Sequence, residues 1–562
     1  MRGADAVVAA LRAEGVSHVF GLPGTTIMDL LDAFARQREI RYISARHEQV
    51  AAFMADGFAR ATGDVGVCVA SRGPGAANMA TAIHNAHAES IPVLAVIGQV
   101  ADQITYRDAF EEMDLLGFFR PITKWCAEVH RPERVPELVQ RGVRVAVSGR
   151  PGPVVVSLPL DVQQAAVEAA PVQPRFRVER PAPAGSEVEA AAALLADARR
   201  PVMVVGGGLM GRAYSAEVVE LAEELSAPVV TTWLRKGAFP NTHPLFLGSL
   251  GYGAPQVAEE AVREADVVLA LGCRFAEFTT RRWTLLSADT AVVQVDIDAE
   301  EIGRHYTPRV GLHADAGTAA AALRGALDAR PGETGRRDER RERARALRAR
   351  YLSETELTTG LATGLATGGT SAPVSSADLV LALREMHGRR PAAVLVQDAP
   401  SFGTWIHRYL DFDWPGSFYG SAGGSMGWGF PAALGMQLAR PDERVVTVSG
   451  DGSFWMVAQD LETSVREDIP VVNVIANNFS YGNTRDRQRY AHDGRYLGVF
   501  YRNPDFAELA RLLGAHGERV EKAADLVPAL DRALDSGLPA VVDVIQDAHE
   551  GLPPGLRPPK AR

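Results

Sequence analysis

Short, unbroken runs of β-branched residues recur along this chain. Val445-Val446-Thr447-Val448 and Val471-Val472-Asn473-Val474-Ile475 are two of them. The stretches 65–70, 153–157, 201–205, 267–272 and 292–296 have the same character. Continuous rather than alternating apolar positions predict strands buried on both faces, as in parallel sheets. Helical stretches separate them, so the chain reads as α/β with three Rossmann-like parallel-sheet units. A length of 562 residues exceeds what one core supports and agrees with three. The expected boundaries are a first unit at 1–165, a Pro-rich linker at 166–186 and a central unit at 187–330. A charged helix and flexible linker follow at 331–374, then a third unit at 375–547 and a Pro-rich tail at 548–562. The tail is expected either to lie over a cleft or to be disordered. Arg336 to Tyr351 reads as a solvated helix with paired charges, with a basic patch for acyl-CoA phosphates as the alternative. Residues 358–370 contain Leu-Ala-Thr-Gly twice and read as a flexible linker.

Composition narrows the class. An apolar share of 46% and a charged share of 23% are ordinary for a globular protein. The net charge of −10 gives no reason to expect nucleic acid or an anionic membrane as partner. No apolar stretch is long enough to span a bilayer, and the N-terminus reads as an amphipathic helix rather than a signal peptide. Cys68, Cys126 and Cys273 are too few and scattered for disulfides or a Cys metal site, which suggests a reducing, cytoplasmic setting.

Two strand ends carry the chemistry. The run 445–448 leads into Ser449-Gly450-Asp451-Gly452-Ser453, and the run 471–475 leads into Ala476-Asn477-Asn478-Phe479-Ser480. Both deliver polar residues to the carboxyl edge of a sheet, where open α/β folds bind ligands. One carboxylate, one amide oxygen and a backbone carbonyl make a hard oxygen site suited to Mg²⁺ with phosphate oxygens. The plain alternative is a pair of ordinary turns rich in Asp-Gly and Asn-Asn.

This pattern resembles the diphosphate- and metal-binding motif of thiamine-diphosphate (ThDP) enzymes. The rest of the chain carries further motifs in that family's order: Gly21-Leu22-Pro23-Gly24, His47-Glu48-Gln49, Gly73-Pro74-Gly75-Ala76-Ala77-Asn78, Ala109-Phe110-Glu111-Glu112 and Gly423-Gly424-Ser425-Met426-Gly427. It is similar over nearly its whole length to the acetolactate synthase-like branch, whose relatives include benzoylformate and oxalyl-CoA decarboxylases. The resemblance implies pyrimidine-binding, central and diphosphate-binding domains. It implies Asp451, Asn478 and the Ser480 carbonyl as metal ligands. It implies Glu48 as the carboxylate that hydrogen-bonds the aminopyrimidine and starts the cofactor's carbanion chemistry. Pro23, Gly24, Gly73 and Asn78 would meet the cofactor on one side. Gly424, Ser425, Met426, Gly450, Gly452, Ser453, Tyr481 and Gly482 would meet it on the other, with Met426 as an apolar wedge. Phe110 and Glu111 would stand near the thiazolium. Glu111 then enters protonated and serves as an acid, or faces a substrate that presents a neutral thioester; otherwise it points to solvent or pairs on a helix with Arg107. The active unit would be a homodimer or homotetramer, because each site takes its halves from two subunits.

Three positions depart from that branch. Phe278 stands where an arginine implicated in choosing the second 2-oxo acid is usual. Arg487 stands in the place of a tryptophan, and Phe110-Glu111-Glu112 replaces Phe-Gln-Glu. These changes argue against dedicated branched-chain biosynthesis and leave the cofactor chemistry intact. The expected activity is that of a 2-oxo acid decarboxylase or carboligase. A 2-hydroxyacyl-CoA lyase or oxalyl-CoA decarboxylase, and a cofactor-less regulatory relative, are the alternatives. In the central unit Gly206-Gly207-Gly208 reads as a tight turn in preference to a site for FAD, ADP or CoA, since it lacks the spaced fingerprint.

Overall fold

The computed structural model describes residues 1–168, 172–211, 215–329, 334–357, 373–398 and 401–556. The Leu-Ala-Thr-Gly linker at 358–370 and the last six residues of the tail lie outside them. The first sheet comprises β1 (His18–Gly21), β2 (Arg41–Ser44), β3 (Gly66–Ala70), β4 (Val93–Gln99), β5 (Trp125–Glu128) and β6 (Val154–Pro159). The second comprises β7 (Pro201–Val205), β8 (Val229–Thr231), β9 (Phe246–Ser249), β10 (Val267–Leu271), β11 (Ala291–Asp296) and β12 (Val310–His313). The third comprises β13 (Val394–Gln397), β14 (Phe418–Gly420), β15 (Val445–Gly450), β16 (Val472–Asn477), β17 (His516–Val520) and β18 (Ala540–Ile545). Every pairing within the sheets is parallel.

The strand orders are β2-β1-β3-β4-β6-β5, β12-β11-β10-β7-β8-β9 and β14-β13-β15-β16-β18-β17. The first and third sheets therefore share one topology. The middle sheet has the doubly wound Rossmann order. In the third sheet the chain runs outward from β13 to β14 and returns on the other side as β15. The carboxyl ends of β13 and β15 thus flank a topological switch point, the place where such sheets hold ligands.

The first and third units share a core. Helix Glu48–Thr62 crosses helix Gly429–Ala439, and Phe53, Met54 and Phe58 pack with Trp428, Phe430 and Leu434. Glycine on each helix permits the approach. A Cβ at Gly57 would collide with the Ala432 backbone, and one at Gly435 with the Met54 backbone. A buried polar network joins all three units. Asp56 accepts from Trp428 Nε1 (2.8 Å) and Arg60 Nε (2.7 Å). Arg60 and Arg235 both reach Glu89, at 3.2 and 2.6 Å, and Arg235 also donates to the Gly420 carbonyl at 3.1 Å. Burial pushes the Glu89 carboxyl up, but the two guanidiniums outweigh it and hold the group below the usual carboxylate range.

Helix Thr334–Glu354 differs from the expected solvated helix. Arg340, Ala344, Leu347 and Tyr351 recur at helical spacing and are buried against the middle unit. Arg340 is spent on the carbonyls of Leu195, Ala196 and Ala198 at the end of helix Gly185–Asp197. The charges exposed on its other faces hid this stripe in the sequence. The segment between the first two units lacks regular structure from 172 to 184, yet Arg177 fastens it to Glu14 (2.7 Å) and Asp64 (3.0 Å).

Candidate active site

β15 ends at Gly450, and Asp451 follows in a one-turn helix whose backbone is buried under the sheet edge. Asp451 is 1% exposed. One carboxylate oxygen accepts from Asn503 Nδ2 at 2.7 Å, and the other accepts from the Tyr501 hydroxyl at 3.1 Å. Burial pushes its pKa up to about 6 against the opposing pull of these hydrogen bonds. On the neighbouring strand β16, Asn478 follows directly, and its Oδ1 accepts from the backbone and hydroxyl of Ser480, both at 3.1 Å. Phe479 between them is left-handed (φ 54°), which turns the chain sharply at the sheet edge.

These strand ends border one cavity of about 250 Å³. Met426, Gly450, Asp451, Gly452, Ser453, Asn478, Ser480, Tyr481 and Gly482 line it. Gly452 is required there, since a Cβ would fall 2.6 Å from both the Tyr481 ring and the Tyr501 hydroxyl. Gly424 (φ +77°) and Ser425 sit on the loop that presents Met426 but do not line the cavity. The donor set fits a Mg²⁺–diphosphate group: a buried carboxylate, an amide oxygen and glycines that admit a close backbone approach. A larger groove of about 590 Å³, between residues 31 and 42, holds none of the candidate residues.

Sequence reasoning missed Ser401, Phe402, Met456, Tyr501 and Asn503. Tyr501 and Asn503 arrive from a loop 50 and 52 residues after Asp451. No local motif marks them. Of the two expectations for the tail, docking describes the residues up to 556. Buried Arg485 donates to Ser480 Oγ (3.1 Å), to the Glu550 carbonyl (2.5 Å) and to the Ala548 carbonyl. Trp405 Nε1 reaches the Gly551 carbonyl at 3.4 Å. The tail up to residue 556 therefore braces the two helices, Gly403–Tyr409 and Gly482–Ala491, that stand behind the cavity wall.

The first unit presents a second constellation. His47 caps helix Glu48–Thr62, its Nδ1 accepting from Gln49 N at 3.2 Å. Glu48, in the first turn, is thereby left free of capping. Its carboxylate is nearly buried and accepts from Asn78 Nδ2 at 2.9 Å. Gly75 clears the other oxygen, because a Cβ there would lie 3.1 Å from it. Pro23 and Gly24 follow β1, with Gly24 against Ser71. Gly73 is left-handed (φ 50°) and backs onto the Glu111 carbonyl.

Glu111 is not on a helix with Arg107. Residues 105–114 form a loop in which Tyr106, Asp108 and Glu111 are all left-handed. The Glu112 carboxylate holds it by accepting from Tyr106 N (2.6 Å) and Ala109 N (3.0 Å). Glu111 pairs with Arg72 (3.6 Å), whose Nε also donates to the Phe110 carbonyl at 2.8 Å. The Phe110 side chain is 76% exposed. Such concentrated backbone strain is characteristic of functional loops.

The two constellations are not joined within one chain, since no residue of the first unit lines the cavity. In the middle unit Gly206 and Gly208 press against Gly272, so the glycines serve a tight backbone crossing. Phe278 packs against Trp233 with ring centroids 4.5 Å apart and the ring planes tilted by 38°. No helix among the described residues is long and apolar enough to cross a membrane.

Three family models match the chain in order. They are the thiamine pyrophosphate enzyme N-terminal TPP binding domain at residues 1–118, the central domain at 188–323 and the C-terminal TPP binding domain at 398–544. The chain is 35% identical to a probable acetolactate synthase large subunit of Methanocaldococcus jannaschii, over 100% of its own length and 94% of the relative's. It is 35% identical to the acetolactate synthase isozyme 2 large subunit of Escherichia coli, over 100% and 98%. It is 33% identical to the acetolactate synthase large subunit of Corynebacterium glutamicum, over 97% and 87%. With three parallel-sheet units in the matching order and full-length similarity to these proteins, the chain belongs to the thiamine diphosphate enzymes, in the acetolactate synthase branch.

Proposed function

We propose that this enzyme is a Mg²⁺-dependent, non-oxidative carboligase or decarboxylase of 2-oxo acids. The observation that carries this reading is the meeting of Asp451 and Asn478 at adjacent strand ends in one cavity lined by glycine. Asp451, Asn478 and the Ser480 carbonyl would hold Mg²⁺, with the diphosphate over Gly450, Gly452, Ser453 and Gly482. Met426 would support the cofactor from below. When bound, thiamine diphosphate supplies a carbon nucleophile and electron sink for breaking and forming bonds next to a carbonyl. Glu48 holds a proton at the aminopyrimidine, kept in line by Asn78. Glu111, paired with Arg72 at the rim of the other half-site, would face the thiazolium and is the candidate acid for the product. The domain boundaries at 165, 187, 330 and 375 are part of the same proposal.

We further infer that the site is completed by a second copy. Large apolar side chains stand exposed on both units: Ile104, Tyr106 and Phe110 on the first, and Met456 in the cavity wall with Trp455, Tyr490 and Leu497 on the third. Patches of this kind mark interaction surfaces, and pairing copies by a twofold would bring each Glu48 to the partner's cavity. A homodimer or homotetramer satisfies this. The thioester-cleaving and cofactor-less readings gain nothing from the relatives' names.

The test is direct. Thiamine diphosphate should bind with Mg²⁺ and not with EDTA, measured by calorimetry. The loaded enzyme should release CO₂ from a 2-oxo acid such as pyruvate and not from oxalyl-CoA. Equal cofactor affinity in EDTA, or turnover of the thioester alone, would overturn the reading.

A further inference from the structure

The cavity has carboxylates close to it and few uncommitted cations. Asp451 lies within it, and the paired half-site would add Glu48 and Glu111. A 2-oxo acid is itself an anion, so the site needs a cation that is not already engaged. Most arginines near the cavity are engaged. Arg485 is saturated by Asp486, Ser480 and the tail carbonyls. Arg408 and Arg489 donate to the carbonyls of Pro554 and His549. Arg72 is held by Glu111 and the Phe110 carbonyl.

Arg487 is different. It is exposed and has no hydrogen-bond or ion-pair partner among the described residues. It lies on helix Gly482–Ala491, one turn beyond Asn483 and Thr484, which line the cavity. At 3.6 residues per turn, position 487 falls between 483 and 484 around the helix axis and shares their face. It is close enough to Tyr252 of the middle unit to act on that hydroxyl electrostatically. The neighbouring middle-unit wall is aromatic: Gly251 lies against the Trp233 ring, which packs at a tilt against Phe278. Those residues offer no positive charge. Arg502 is also exposed and without such a partner, but Tyr501 and Asn503 on either side of it both reach Asp451. In extended chain the residue between them faces away.

We propose that Arg487 is the specificity-determining anchor for the acceptor substrate, binding the carboxylate of a second 2-oxo acid at the cavity rim. This rests on the functional reading above. A guanidinium fork suits a carboxylate bidentately. It suits the acceptor better than the donor. The donor's carboxylate must leave as CO₂, and a cation that held it in the ground state would oppose that step. The acceptor's carboxylate is kept in the product, so binding it favours addition to a 2-oxo acid over addition to a neutral aldehyde.

The experiment is a competition. Loaded enzyme receives pyruvate together with acetaldehyde, and acetolactate, acetoin and CO₂ are quantified. Acetolactate reports pyruvate as acceptor, acetoin reports acetaldehyde, and each releases one CO₂ from the donor. Arg487→Gln should lower the acetolactate-to-acetoin ratio by about tenfold to a hundredfold, the worth of a charge-assisted hydrogen-bonded pair. Total CO₂ release and cofactor affinity should stay near wild type. Arg487→Lys should recover part of the ratio, and Arg502→Gln should leave it unchanged. An unchanged ratio in Arg487→Gln, or an equal fall in Arg502→Gln, overturns the inference alone. A wild-type enzyme that binds the cofactor but releases no CO₂ from any 2-oxo acid overturns the functional reading and the inference with it.

Discussion

The first and third units have the same strand order and opposite chemistry. Each sheet presents the strand-to-helix turn after its third strand at the carboxyl edge: Gly73 to Asn78 follow β3, and Asp451 to Ser453 follow β15. In the third unit the loop brings a carboxylate and closely approaching glycines, and the neighbouring strand adds an amide oxygen. In the first unit the equivalent loop brings glycines and an asparagine that serve a glutamate arriving after the second strand. One topology thus builds an edge with a buried carboxylate and an amide oxygen in one place and an edge with a glutamate held by an asparagine in another. The scaffold sets where groups are delivered, and a few loop residues set what they do.

The most severe way to break this comparison is to remove the charge at each edge. Asp451→Ala should abolish Mg²⁺-dependent cofactor binding in calorimetry, because a carboxylate ligand is lost. Glu48→Gln should bind the cofactor normally and lose roughly 10²- to 10⁴-fold in turnover, the usual worth of a positioned proton-transfer group. If both variants lose binding alike, the two edges do not divide the work. Mixing the variants is the next largest test. Co-expressed Glu48→Gln and Asp451→Ala subunits should regain up to about a quarter of wild-type activity, since half of random dimers are mixed and each of these has one intact site. Recovery of nothing would place both edges in one subunit's site.

Glu111→Gln sharpens the role of the strained loop. The variant should slow product protonation by about tenfold and shift pyruvate-derived product from acetaldehyde toward ligated product, seen by gas chromatography. Wild-type rate and product ratio would make Glu111 a surface partner of Arg72. A fourth test addresses the seam between the units. Gly57→Ala places a methyl against the Ala432 backbone and should destabilise by roughly 1–3 kcal/mol in denaturant unfolding. Gly185→Ala, where a Cβ meets nothing within 4 Å, should be neutral or slightly stabilising.

The smallest effect concerns the tail. Burial raises the Glu550 carboxyl to about 7 while it accepts from Ser376 N and Oγ, both at 2.7 Å. A carboxyl raised in the folded state favours folding when protonated. Its contribution is complete below its ordinary pKa of 4.5 and is lost as pH rises through about 7. Melting temperature should therefore fall more steeply over that window in wild type than in Glu550→Gln. Parallel curves would show that the tail does not depend on this proton.

Much of the cavity was legible in the chain itself. Asp451, Asn478, Met426 and Tyr481 stand in or beside motifs whose spacing follows from strand, turn and helix, and local chemistry suffices to place them at a sheet edge. The α/β alternation was legible for the same reason, since a strand buried on both faces has to be continuously apolar. What local sequence could not reveal depends on contacts between distant segments. Tyr501 and Asn503 have no motif, yet they supply both hydrogen bonds to Asp451 from other side chains. Glu111 at a spacing of four from Arg107 looked like a helical pair, but Glu112 bonds to two backbone amides and turns the segment into a loop, giving Glu111 to Arg72. The Arg- and Glu-rich helix looked solvated because its buried stripe is only a few residues wide, one of them an arginine satisfied by another helix's carbonyls. Pattern and spacing act over a turn or a strand and determined the elements and the placing of Asp451 and Asn478 at one sheet edge. Partner choice among side chains dozens or hundreds of residues apart is a matter of packing, and only the tertiary structure decided it.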